Sequence, residues 1–290
     1  MIFFNNCDVR INGTGVMAKT ASVSTANSVT AQRSMGKNLA VGVQPDGPYA
    51  NEIKLTYLLE IDKDPVFANL LDFINLQHNT TNPNYEDIAG RTLSVGGITG
   101  TYYLNTYNVS IGQNVLIKAS CTYVSFVPST GELRKRSEIL DYADSYSGLA
   151  HSWTSRLSSD DGDLEMPIYD FSYSFNGDVA QLFVLGQKFP KQVMLQTAEE
   201  TISVTKEDSR LIDFHGESGW VLFSGRLEDG TYFHEDNNPF IKVEPLSGLC
   251  EGGTIDSISF PFSGMKIESS DTSIDTNDYA RTTFLLKRYH

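Results

Sequence analysis

Tryptophan, cysteine and basic residues are all scarce in this sequence, and it has no long apolar run. Each shortage excludes something. The two tryptophans, Trp153 and Trp220, are little material for an exposed aromatic platform of the kind that sugars bind. The three cysteines, Cys7, Cys121 and Cys250, stand far apart in no metal-like spacing. They read as free thiols of a chain made in a reducing cytoplasm. Lys and Arg number 22 against 36 Asp and Glu, a net charge of −14. A duplex-binding surface needs a concentrated positive field to displace counterions, so stable sequence-specific DNA binding is not expected. No apolar run reaches the roughly 20 residues that span a bilayer, so no membrane partner is expected. The opening residues, Met1-Ile2-Phe3-Phe4-Asn5-Asn6-Cys7, lack the basic start of a signal peptide.

What is present favours strands. Phe (16) and Tyr (14) are plentiful, and Ser and Thr alternate with Val, Ile, Leu and Tyr. Strands are predicted over 22–25, 52–58, 108–111 and 115–126. One helix is expected. Asp64 is a capping residue, Pro65 suits the first helical position, and Val66, Phe67, Leu70, Leu71, Ile74 and Leu76 form an apolar stripe.

The chain divides at about 131–166. Residues 1–130 read as a first β domain, 131–166 as a connecting segment with an acidic loop at 158–163, and 167–290 as a second β domain. The halves echo each other. Thr30-Ala31-Gln32 followed by the strand from Glu52 parallels Val179-Ala180-Gln181 followed by the strand from Glu200. A second echo links 110–126 with 252–262.

Motifs of chemistry are weak throughout. Gly13-Thr14-Gly15 is followed by strand-like residues, where a dinucleotide site needs a helix, so it reads as a turn. Gly36-Lys37 lacks the rest of a phosphate loop. Gly216-Glu217-Ser218-Gly219 has the wrong spacing for a nucleophile elbow. No two of His78, His151, His215, His234 and His290 are spaced to hold a metal from one helix or hairpin. Asp271, Asp275, Asn277 and Asp278 offer oxygen ligands but lack the glycine and terminal glutamate of a calcium loop, and read as a solvated hairpin tip. No enzyme, cofactor or metal is expected.

Three phrases carry a resemblance: Leu104-Asn105-Thr106-Tyr107-Asn108-Val109-Ser110-Ile111-Gly112-Gln113-Asn114-Val115 running into a long strand; Asp170-Phe171-Ser172-Tyr173-Ser174-Phe175 leading to Leu185-Gly186-Gln187-Lys188-Phe189-Pro190; and the polar hairpin 269–278 before Thr282-Thr283-Phe284-Leu285-Leu286. In this texture the sequence resembles bacteriophage tail tube proteins. The resemblance implies a mainly β fold of two sandwich- or barrel-like domains with a short helix in the first. It implies rings of subunits stacked into a hollow cylinder that conducts DNA, made in the host cytoplasm and resident in the virion tail. Implied partners are further copies of the chain, other tail proteins (sheath, tape measure, baseplate or neck) and DNA in transit. Two tube-like halves imply three chains per ring, and one implies six. Other readings are a baseplate, neck or terminator ring, or a carbohydrate-binding sandwich. Expected subunit contacts lie in the loop 42–51 (Asp46, Tyr49, Asn51) and the hairpin 269–278 (Asp271, Ile274, Asp275, Asn277). The strands 115–126 and 254–262 are expected to line an anionic bore.

Overall fold

A computed structural model of the chain describes residues 9–26, 29–33, 40–45, 49–59, 64–67, 70, 90–112, 117–131, 153–159, 162–164, 168–185, 187, 189–207, 240–245, 258–261, 265–273 and 280–289. The described residues are mainly β, as the composition predicts. The first half holds β1 (Val9–Ile11), β2 (Thr14–Gly15), β3 (Met17–Ala26), β4 (Val29–Arg33), β5 (Ala40–Pro45), β6 (Ala50–Leu58), β7 (Arg91–Val95), β8 (Ile98–Ile111) and β9 (Lys118–Ser125). The second holds β10 (Trp153–Ser159), β11 (Gly162–Leu164), β12 (Ile168–Leu182), β13 (Gln192–Glu207), β14 (Phe240–Pro245), β15 (Ile258–Pro261), β16 (Lys266–Ser273) and β17 (Arg281–Tyr289). The predicted helix is represented by helical residues at 65–67 and 70; its remaining stripe lies outside the described residues.

Eight strands form one continuous antiparallel sheet in the order β3-β6-β9-β8-β12-β13-β17-β16. The pairing of β8 with β12 joins the two halves, with Phe171 opposite Ile111 and Asn176 opposite Thr106. The small ladder β2-β1-β7 attaches to the start of β8. Two further sheets stand apart: β11-β10-β14-β15 and the hairpin β4-β5. β10 and β11 fall in the stretch read as a connecting segment, and Ser158 and Ser159 of the expected acidic loop pair with Asp163 and Gly162.

The internal echo has a topological counterpart. In the first half, β3, β6, β8 and β9 lie in the spatial order first, second, fourth, third. In the second half, β12, β13, β16 and β17 lie in that same order. β4-β5 extends the β3-β6 hairpin as the outer parts of β12 and β13 extend theirs, which is where the Ala-Gln echo falls. The second echo is corrected. β9 corresponds to β17 in the large sheet, whereas β15 belongs to the four-stranded sheet.

Alternation sets the faces of the large sheet. One face is apolar and buried. Across it runs the row Tyr57–Ala119–Val109–Tyr173–Ile202–Leu286–Ile267, each residue opposite the next. Val66, Phe67 and Leu70 cover this face from the helical turn, and Phe260 covers it from β15. The Phe67 ring lies 5.9 Å from Tyr107, 5.5 Å from Tyr173 and 4.5 Å from Phe260, so one aromatic cluster spans both halves of the chain.

Glycine is required at one close approach. Thr99 and Thr130 exchange backbone hydrogen bonds of 2.8 Å, and Gly131 follows with φ +94°. A Cβ there would sit 2.2 Å from the Gly97 carbonyl oxygen. Gly131→Ala is therefore expected to cost about 1–3 kcal/mol, read as a lower urea midpoint with unchanged slope.

Candidate functional site

The opposite face of the large sheet is a carpet of small polar side chains. A second transverse row reads Thr20–Thr56–Ser120–Asn108–Ser174–Thr201–Lys287 across seven strands. Beside it, Ser110, Ser172 and Ser203 are mutually opposite. The charged groups here are of both signs. Glu52, Asp170, Asp178 and Glu199 share the face with Lys54, Lys118 and Lys287. Lys54 contacts Glu52 at 2.9 Å, and Lys287 contacts Glu199 at 3.0 Å. Among the described residues this face is rich in hydroxyls and carries charges of both signs, Lys266, Glu268 and Asp271 of β16 included. Hydroxyls donate to water and accept from it, and among the described residues Lys54 and Lys287 of this face stand beside carboxylates.

Among the described residues the sheet does not close on itself. β3 at one margin pairs only with β6 in this sheet, and β16 at the other pairs only with β17, among the described residues. The eight strands alternate in direction, so β3 and β16 run opposite ways. An exposed margin is a template for another strand. β16 is partly blunted by a bulge between Ile267 and Ser269 and by exposed Glu268 and Asp271.

The ends of the strands form two further surfaces. At the upper end, where β3 and β12 finish, lie Tyr49 and Asn51. At the lower end, where β16 finishes, lies Asp271. The two patches expected to make subunit contacts are therefore at opposite ends of one sheet. Tyr49 is half-buried, and Asp271 is exposed. Asn51 is only 2% exposed; its amide accepts from Thr25 Oγ1 at 2.7 Å and donates to Ser129 Oγ at 3.1 Å. Asp46, Ile274, Asp275 and Asn277 lie outside the described residues. Of the strands expected to line a bore, β9 contributes Ser120 and Thr122 to the polar face, and β15 lies in the smaller sheet.

Two buried polar clusters, neither anticipated, hold the halves in shape. Asp64 Oδ1 accepts from the backbone N–H of Val66 (3.0 Å) and Phe67 (3.2 Å) and from the Tyr57 hydroxyl (2.7 Å), while Oδ2 accepts from the Tyr107 hydroxyl. Burial pushes this carboxyl above its ordinary value, and the bonds that it accepts pull the other way. Burial, and then the carboxylate, push both tyrosine hydroxyls well above theirs. Cys121 shares this core; burial raises its thiol too, and it packs as an apolar group. In the second half, Glu200 is 1% exposed and takes a two-pronged contact from Arg288, Nε to Oε1 at 3.2 Å and Nη2 to Oε2 at 2.7 Å. The Tyr173 hydroxyl donates to the same Oε2 at 3.0 Å.

Gly13 sits at φ +82° in the two-residue turn between β1 and β2, and the chain continues into β3, so the glycine motif is a hairpin turn. Among the described residues, no helix is long and apolar enough to cross a membrane. No protein-family model matches the chain and no curated protein matches it.

Proposed function

We propose that the chain is a wall subunit of a bacteriophage tail tube: a structural virion protein whose copies close into rings and stack into a conduit for DNA. The observation that carries this reading is the open eight-stranded sheet, with margins of opposite direction and one hydroxyl-rich face. An even strand count matters here. β16 of one copy placed beside β3 of the next continues the antiparallel alternation with the same face inward, and the ring closes without a leftover margin. The junction would reproduce the one between β8 and β12, because β8 corresponds to β16 and β12 to β3 in the repeated topology.

Size favours three copies. Twenty-four strands spaced about 4.8 Å apart make a wall about 115 Å around and about 37 Å across, more once the strands tilt. A duplex whose grooves reach about 8 Å deep on either side of its core passes such a bore. Six copies would double the width and leave the duplex loosely held. Neighbouring tail proteins are the further partners on this reading, and no reaction is assigned to the chain.

The test is assembly of the purified full chain at high concentration. Rings or tubes of uniform diameter are expected by electron microscopy. Hydrogen exchange should show residues 20–24 and 266–271 gaining protection on assembly, while 106–111 and 171–176 are protected already in the monomer. A chain that stays monomeric at every concentration would falsify the proposal.

A further inference from the structure

Several charges of the polar face are neutralised within it. Lys54 stands against Glu52, and Lys287 lies between Glu199 and Glu268, 3.0 Å from each. Two groups of opposite sign near the lower ends of the strands differ. Among the described residues, exposed Lys118 of β9 and exposed Asp170 of β12 have no ion-pair partner, and they do not pair with each other. Register nevertheless puts them in one patch. Lys118 is opposite Ser110, Ser110 is opposite Ser172, and Ser172 is opposite Ser203. Asp170 precedes Ser172 by two residues and so shares its face. With strands about 4.8 Å apart and a rise of about 3.4 Å per residue, the backbones of Lys118 and Asp170 stand about 12 Å apart.

A cleft of about 300 Å³ opens at this patch, between β8, β9, β12 and β13. Of its lining residues, Ile111 and Phe171 bury their side chains in the core on the other face, and Gly112 has no side chain to fill the floor. The side chains presented to the cleft are therefore three serine hydroxyls, with an ammonium on one side and a carboxylate on the other. An apolar occupant would strip water from all five groups and return no hydrogen bond. A phosphate of DNA would meet the carboxylate, and a metal ion would meet the ammonium. A molecule with one charge of each sign satisfies both ends, and the serines donate to its anion and accept from its cation. A cavity of about 150 Å³ takes a benzene ring, so this space admits about a dozen non-hydrogen atoms.

We propose that this cleft binds a small zwitterion of the amino-acid type, its carboxylate on Lys118 and the serine hydroxyls and its ammonium on Asp170. The four-carbon stem of the lysine lets its ammonium follow the ligand, so the two charges of the ligand need not match one fixed separation. The bound molecule bridges β9, β8 and β12, and the pairing of β8 with β12 is the one that joins the halves of the chain. A ligand held only by the folded chain stabilises it, so occupancy fastens that joint. The inference goes beyond the ring-wall reading and does not depend on assembly.

Isothermal titration of the full chain, dilute enough to stay unassembled, with γ-aminobutyrate, butyrate and butylamine tests this. The zwitterion should bind about tenfold more tightly than either singly charged analogue, the worth of one hydrogen bond to a charged group. Lys118→Met should erase its advantage over butylamine, and Asp170→Asn its advantage over butyrate. Lys118→Asp combined with Asp170→Lys should restore binding with the ligand reversed. These variants change exposed positions only, so their urea midpoints should match wild type. Equal affinity for γ-aminobutyrate and butyrate, no binding of any of the three, or variants that bind as wild type does would overturn the proposal. Such a failure leaves the ring-wall reading standing, because no measurement here involves assembly.

Discussion

Arg288→Met is expected to lower the folding free energy by about 3–5 kcal/mol. Register dictates this. The row Leu55–Cys121–Tyr107–Phe175–Glu200–Arg288 crosses the apolar face, so Glu200 stands where Phe175 and Tyr107 have already excluded water. Its carboxylate is tolerated because Arg288 and Tyr173 fill its lone pairs. Remove the guanidinium and the buried carboxylate loses its cationic partner. The pair itself adds little, since the desolvation of two ions cancels most of their attraction. The combined change Glu200→Leu, Arg288→Met and Tyr173→Phe should therefore recover most of the loss, leaving a net change of about 1 kcal/mol or less. Tyr173→Phe alone should cost about 1 kcal/mol, the typical worth of one buried hydrogen bond. Urea denaturation of the four proteins provides the comparison. If Arg288→Met lost less than Tyr173→Phe, the carboxylate would have another partner or would be reached by water.

The ion pair also shows how far the sequence could be read. Period-two alternation in Glu200-Thr201-Ile202-Ser203-Val204 puts Glu200 on the side of Ile202 and Val204, and alternation in Phe284-Leu285-Leu286-Lys287-Arg288 puts Arg288 on the side of Phe284 and Leu286. Two opposite charges on apolar faces are a signal that they meet, yet nothing in one sequence says that β13 and β17 are neighbours. Strand identity was legible for the same reason that pairing was not: alternation is local, whereas register joins residues such as Glu200 and Arg288 that are 88 positions apart. The repeat was legible at Ala31-Gln32 and Ala180-Gln181, where both hairpins begin their extensions. It misled at 252–262, where apolar alternation belongs equally to a strand of the smaller sheet. Leu182, Phe183, Val184 and Leu185 are exposed at the end of the β12–β13 hairpin, where a run of apolar residues in a sequence ordinarily signals burial. Asn51, expected at a subunit contact as part of the loop 42–51, hydrogen-bonds Thr25 and Ser129 from two different segments, partners that a single sequence does not bring together.

Asp64 was legible as a helix cap from Asp64-Pro65, but its larger role was not, because Tyr107 stands 43 residues away. Asp64→Ala is expected to cost about 3–5 kcal/mol. Losing the cap contributes about 1 kcal/mol, and leaving two buried tyrosine hydroxyls without their acceptor contributes about 1–2 kcal/mol each. Asp64→Asn keeps Oδ1 for Val66, Phe67 and Tyr57 and presents an amide to the Tyr107 oxygen, so it should stay within about 1 kcal/mol of wild type near neutral pH. Acid separates the two proteins. The folded carboxyl is raised from 3.8, so the folded state takes up a proton more readily than the unfolded chain. This group's contribution is then fullest below the unfolded value and fades as pH climbs through the folded one, the reverse of a salt-bridged aspartate. Wild type measured against Asp64→Asn should accordingly lose relative stability as pH rises across that window and level off above it. A relative gain over the same range would mean that the four hydrogen bonds outweigh burial and that the core prefers Asp64 charged.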